Sequence, residues 1–197
     1  MSVDGNEPDS AETTQEHAEC IARKPLLRAF YDQCYDRIRS EVSSLPPGQI
    51  LELGSGPGYL KTILPDLITS DVIALPGIDR VVSALDLPFA DDSLSAIVMM
   101  NVFHHLQDVE AFLSEAERTL RTGGKIVMIE PANTLWGRFI YRNFHHEPFE
   151  PAAESWKLNG GGRLSDANGA LPWIVFKRDY ARFRERFPGL DLDQIQP

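Results

Sequence analysis

Cysteine is scarce: Cys20 and Cys34 are the only two among 197 residues. They make neither a disulfide framework nor a cysteine-rich zinc site, and are expected as reduced, small apolar residues on or near an N-terminal helix. Long apolar runs are missing too. The longest candidate, Ala96 to Phe103, is broken by Asn101 and stops well short of the roughly 18 residues a membrane helix needs, so no integral membrane segment is expected. The N-terminus lacks the basic start and apolar core of a signal peptide, which points to a cytoplasmic location. Basic charge is outnumbered, with 19 Lys and Arg against 29 Asp and Glu for a net charge of −10, and this opposes a nucleic-acid partner. The G-x-x-x-x-G-K-[ST] phosphate loop, the H-E-x-x-H metal motif, a serine-nucleophile elbow and a reactive-cysteine context are all absent. No metal site is expected, because adjacent histidines cannot both face one ion from a regular helix.

Composition supplies enough to fold: 43% hydrophobic and 24% charged residues suit one soluble α/β domain. Residues 1–15 are polar and lack apolar periodicity, so they are expected as a disordered tail, with 16–197 as a single domain. From Leu26 through Phe30, Tyr31, Cys34 and Tyr35 to Ile38, apolar positions recur every three or four residues, which predicts an amphipathic helix running towards Ser43.

The most informative stretch is Gln49-Ile50-Leu51-Glu52-Leu53-Gly54-Ser55-Gly56-Pro57-Gly58, an apolar run followed by glycines at alternate positions. It reads as strand, tight turn and helix, with the helix expected over Leu60 to Leu64 before Pro65 stops it. Glycine serves where the chain takes positive φ or where a ligand lies against bare backbone. A dinucleotide fingerprint would need glycine at 59, where this chain has Tyr59, and that removes a nicotinamide-dependent dehydrogenase. A glycine-rich turn without a ligand remains open on these residues alone.

The Glu52-x-Gly54-x-Gly56-x-Gly58 pattern resembles motif I of the class I S-adenosylmethionine (SAM)-dependent methyltransferases of the small-molecule type. The resemblance covers residues 50 to 131 and implies SAM as cofactor, with Glu52 and the backbone of Gly54, Ser55, Gly56 and Gly58 holding its amino-acid end and ribose. Leu67 to Asp71 is the expected second strand, and Asp71 at its tip is placed to accept hydrogen bonds from ribose hydroxyls; a turn-capping Asp is the alternative. Between Asp71 and Asp79 a Pro-Gly break leaves room for a loop where the family has a helix. The third strand is expected at Val81 to Ala84. The family's adenine-binding Asp is Ser83 here, so adenine recognition falls to the Ser83 hydroxyl, to backbone near Ala84 and Leu85, or to Asp86. In the family the helix ahead of motif I often covers the cofactor, which makes Phe30, Tyr31 and Tyr35 candidates for contact, against plain packing on the sheet.

Leu94 to Met100 is nearly all apolar, as a strand covered on both faces must be, and Asn101 to Leu106 leaves it into the ligand crevice of a parallel sheet. Asn101 is expected at the cofactor. Val109 to Leu120 makes one helical face ended by Thr122-Gly123-Gly124, and Lys125 to Pro131 is the fifth strand. These elements make a doubly wound, mostly parallel sheet with helices on both faces. Residues 132–180 form a variable, substrate-side region, with a short helix over Asn133 to Tyr141, the His145-His146-Glu147-Pro148-Phe149 segment and a flexible loop at Asn159 to Gly162. Leu190 to Gln196 alternates with period two and reads as a half-buried strand. The family's seventh strand is expected to be missing and the chain to be truncated.

Methyl transfer from a sulfonium needs alignment and water exclusion, and a base only where the acceptor holds its proton. His104 or His105, just past the fourth strand, is expected to face the methyl group, with His145 and His146 as second contributors. One histidine of each pair is equally open to a packing role. Two functions follow: an enzyme that methylates a small molecule, lipid-linked intermediate or glycan precursor, or a scaffold that binds SAM or its product without catalysis. The oligomeric state is not readable.

Overall fold

The computed structural model describes residues 10–158, 160 and 166–196. Five parallel strands form its sheet: β1 (Gln49–Leu53), β2 (Ile68–Asp71), β3 (Arg80–Val81), β4 (Leu94–Met100) and β5 (Leu120–Ile129), in the spatial order β3-β2-β1-β4-β5. The order reverses between β1 and β4, and in an open parallel sheet a ligand crevice lies outside the carboxyl ends of the strands at such a switch point.

β4 explains why the sheet has two covered faces. Its residues Leu94 to Met99 are all buried, and alternate side chains go to opposite layers, as a period of two demands. Ile97 and Met99 join the layer of Phe103, Phe112, Leu113, Trp156 and Phe176, while Ala96 and Val98 join that of Ile38, Val42, Leu60 and Leu67. Helix α3 (Val109–Thr119) supplies the first layer through Val109, Phe112, Leu113 and Ala116, and its N-cap Asp108 accepts a hydrogen bond from Ala111 N at 3.1 Å. Helix α2 (Pro25–Val42) supplies the second through Ile38 and Val42. Among the described residues no helix is long and apolar enough to cross a membrane.

Several expectations are corrected. The 1–15 tail boundary is too late, because α1 (Ala11–Arg23) starts at an N-cap Ser10 whose side chain accepts from Thr13 N, with Glu12 in the first turn. Capping and a favourable charge near the helix dipole form this helix without a regular apolar stripe. Residues 1–9 lie outside the described residues. Pro25 at the start of α2 separates the two helices at Lys24, since a proline ring suits a first helical turn and no later one.

After the glycine turn there is one 3-10 turn, Tyr59–Thr62, in place of a helix to Leu64. Helix α3 ends at Thr119, and Thr122-Gly123-Gly124 lies inside β5, where the register jumps from Leu94↔Leu120 to Ala96↔Lys125. The glycines serve a bulge, with Gly123 at φ 79.

Beyond β5, α4 (Leu135–Phe144) has no buried residue and exposes Trp136 stacked on Phe139. The glycine loop at 159–162 falls almost wholly outside the described residues. A helical stretch follows, α5 (Leu171–Trp173) running through a π-turn at Ile174–Arg178, and then α6 (Tyr180–Arg186). The 190–196 segment is no strand: Leu190 and Leu192 pack on the core, and Asp193 pairs with Lys125 Nζ at 2.6 Å. Alternating leucines are satisfied by packing alone, without a ladder.

Candidate functional site

A cavity of about 430 Å³ opens at the switch point between β1 and β4. Its floor is the glycine turn. Gly54, Gly56 and Gly58 take φ of 63, 51 and 72, the left-handed region that favours glycine. A Cβ at Gly54 would in addition lie 2.5 Å from Val102 Cγ2, so turn and β4 loop touch with no room between them. Buried hydroxyls lock the neighbouring strand ends: Ser70 Oγ donates to the Glu52 carbonyl at 2.7 Å, and Ser70 N donates to Ser55 Oγ at 3.0 Å.

Charge in the floor comes from β1 and β2. Asp71 accepts from Gly56 N at 3.3 Å and from Val72 N at 2.8 Å, which fixes its carboxylate beside the turn. Glu52 is buried, and its Oε2 has no hydrogen-bond partner among the described residues. Burial raises its pKa to about 7; a hydrogen bond with Ser55 pulls the other way, and the nearby Asp71 charge pushes it further up. A buried acceptor without a donor is a costly thing to keep. It is the arrangement expected of a floor made for a ligand with a cationic or N–H group, and it fits the amino-acid end of SAM.

The far walls come from three places. Val82, Ser83, Ala84 and Leu85 follow β3, and the Ser83 hydroxyl accepts from Leu85 N at 3.2 Å. Met100, Asn101, Val102 and His105 follow β4, with Asn101 at φ 56. Thr14, Ile21, Tyr31 and Tyr35 roof the cavity from α1 and α2. Burial raises the Tyr31 hydroxyl pKa, while its hydrogen bond to Asn101 acts in the opposite sense.

Of the residues read from sequence, Glu52, Gly54, Ser55, Gly56, Asp71, Ser83, Ala84, Asn101 and His105 surround this one cavity. Gly58 is not in the lining and shapes the turn from behind. Asp86 is exposed, outside the lining, and its N–H donates to the Ser83 carbonyl at 3.2 Å. Backbone pairing ties 83 to 86, and of this stretch Ser83, Ala84 and Leu85 line the cavity. Phe30 is exposed, whereas Tyr31 and Tyr35 reach the cavity.

The histidines divide in the same way. His104 is 2% exposed and does not line the cavity. Its Nδ1 donates to Glu130 Oε2 at 2.6 Å, and the other oxygen of Glu130 accepts from Val102 N and Phe103 N at 2.8 and 2.7 Å. His105 lies at the wall, its Nδ1 donating to the Asp166 carbonyl at 3.0 Å. Both Nε2 atoms turn to Glu147, at 3.3 Å for His104 and 3.4 Å for His105. Burial works against charge on His104, yet hydrogen bonds to Glu130 and Glu147 outweigh it and raise the pKa to about 9. Burial also opposes charge on Glu147, but the two histidines hold it well below the usual carboxylate range.

His145, expected near the methyl group, stacks on Tyr141 at 4.3 Å outside the cavity lining, and His146 is 80% exposed. The paired histidines are not held in a regular helix. His104 and His105 sit in a 3-10 turn, Phe103–His105, with their ring centroids 4.2 Å apart, and with Glu147 they offer three donor atoms within 4.8 Å of one another.

Sequence reading did not single out Glu130. It sits just past the carboxyl end of β5, as Asn101 does past β4, so the same crevice rule that found Asn101 would have found it.

A family model described as a methyltransferase domain matches residues 51–128. Demethylmenaquinone methyltransferase of Streptomyces avermitilis is 27% identical over 92 residues, 46% of this chain and 40% of that protein. The hybrid PKS-NRPS synthetase iccA of Talaromyces variabilis is 26% identical over 176 residues, 71% of this chain and 4% of that protein. The chain thus spans well under two thirds of these relatives' lengths. Among solved structures, a SAM-dependent methyltransferase of Thermotoga maritima is 21% identical with TM-score 0.50, covering 68% of this chain and 66% of that one. Another, from Methanococcus maripaludis, is 18% identical with TM-score 0.50, covering 73% and 76%. These two speak for the fold. The parallel strand order and the crevice over the glycine turn are those of the Rossmann-like methyltransferase fold, and residues 51–128 match a methyltransferase domain.

Proposed function

We propose that the protein transfers a methyl group from SAM to a small-molecule acceptor. The observation that carries this reading is Glu52: a buried carboxylate oxygen without a donor, in the glycine-built floor of the cavity. SAM, when bound, supplies a methyl carbon already activated by its sulfonium. What remains for the chain is to hold, align and exclude water. Glu52 and the turn would hold the amino-acid end, Asp71 the ribose, and Ser83 to Leu85 the adenine. Tyr31 and Tyr35 would close the site from above.

The acceptor side is the His105 wall, where Glu147 from the 132–180 region ties His105 to the buried His104–Glu130 pair. As a unit these groups can hold and position an acceptor at the cavity edge. A small-molecule acceptor is supported by the named relatives, among them demethylmenaquinone methyltransferase and norajmaline N-methyltransferase of Rauvolfia serpentina. The acidic net charge of −10 speaks against a nucleic-acid acceptor.

Titration calorimetry with SAM is expected to give one site per chain, weakened in Glu52→Ala; no heat of binding at all would end the reading. Release of S-adenosylhomocysteine with an acceptor panel then separates turnover from binding alone.

A further inference from the structure

The His104–His105–Glu147 cluster contains a geometric conflict. If both histidines were simply imidazolium partners of Glu147, their buried N–H···O contacts would close to about 2.7–2.9 Å, as charge-assisted hydrogen bonds do. The His104 Nδ1 contact with Glu130 does so, at 2.6 Å. The two Nε2 contacts with Glu147 do not, standing at 3.3 and 3.4 Å. Two donors each about 2.05 Å from a tetrahedral zinc are separated by about 3.3 Å. The donor spacing is that of ligands around an ion.

The surrounding contacts agree. In metal sites a ligating histidine almost always donates its other ring N–H to a carboxylate or backbone carbonyl, which fixes the tautomer and aims the free nitrogen. Here His104 Nδ1 donates to the Glu130 carboxylate and His105 Nδ1 to the Asp166 carbonyl, so both Nε2 atoms are pre-aimed at one place. Glu130 is itself held by two backbone N–H groups.

We propose that His104 Nε2, His105 Nε2 and Glu147 bind a divalent transition-metal ion of the zinc class, with a fourth position left for water or an acceptor heteroatom. A two-nitrogen, one-carboxylate set is suited to zinc, cobalt or ferrous iron and poorly suited to magnesium or calcium. Ion binding needs no SAM, so it stands or falls separately from methyl transfer. Only the ion's use, to acidify an acceptor at the His105 wall, rests on that reading.

The test uses the full chain stripped with a chelator and titrated with Co²⁺, then displaced by Zn²⁺. The expected result is one ion per chain, a visible spectrum of tetrahedral intensity, and loss of the spectrum on adding zinc. Glu147→Gln keeps side-chain volume and is expected to weaken binding about a hundredfold or more. Glu185→Gln, the same change at an exposed carboxylate of α6, is expected to leave binding unchanged. A weak octahedral spectrum, equal affinity in Glu147→Gln, or loss of the ion in Glu185→Gln each overturns the site. Far-ultraviolet circular dichroism and SAM titration on Glu147→Gln tell a lost ligand from a lost fold.

Discussion

The two sides of the cavity are built on opposite plans. The cofactor side is made of backbone and leaves one acceptor, Glu52 Oε2, without a donor. The histidine side is made of side chains in which the carboxylates are engaged: Glu130 by His104 and two backbone N–H groups, Glu147 by His104 and His105, with His145 and His146 also within 4 Å. An open acceptor waits for a ligand to complete it, whereas a closed cluster holds its geometry before any ligand arrives. Removing a carboxylate should therefore have opposite consequences on the two sides.

The largest effect is expected at Glu130→Ala, which strands His104 and two backbone N–H groups; breaking a buried pair in this way costs about 3–5 kcal/mol. Urea denaturation should show it, and a loss below about 1 kcal/mol would mean that the cluster is not closed. Glu52→Gln should act the other way. Its pKa is raised by burial from 4.5 to about 7, so the group favours the fold below pH 4.5 and that contribution is lost as pH rises through 7. On the order of 3 kcal/mol is at stake, and the ligand-free variant should be the more stable protein at pH 8 while binding SAM less well. Wild-type affinity for SAM should also strengthen as pH rises through 7, since a cationic ligand favours the ionised carboxylate. A flat profile between pH 6 and 8 would remove Glu52 from the contact.

Next comes Gly54→Ala. A left-handed residue other than glycine costs about 1–2 kcal/mol, and overlap with Val102 adds to it, so about 2 kcal/mol or more is expected by thermal unfolding, with SAM binding lost. Smallest is Ser70→Ala, which frees the Glu52 carbonyl and should cost about 1 kcal/mol; calorimetry should find SAM affinity only modestly reduced.

The same contrast decides what could be read in advance. The glycine turn, β2 ending on Asp71 and the doubly buried β4 are local patterns, and each carries its own signature of spacing or composition. The closed cluster has no such signature. His104 meets Glu130 from 26 residues away, and Glu147 arrives from a segment whose sequence looks like a turn. Helix α1 was missed because caps and charge make it without a regular apolar stripe, and the strand expected at 190–196 failed because alternation reports which side chains are covered and says nothing about a ladder partner.

The roof of the cavity has a consequence of its own. Thr14 and Ile21 belong to α1, and Thr14 is the one buried residue among its described side chains; α1 packs on α2 across the Lys24–Pro25 break, and Thr14 Cγ2 lies 3.6 Å from where a Cβ on Gly56 would stand. SAM is then expected to enter at a rate set by α1, a clock placed some distance in sequence from the glycine turn; stopped-flow binding that saturates with rising SAM concentration would be its sign.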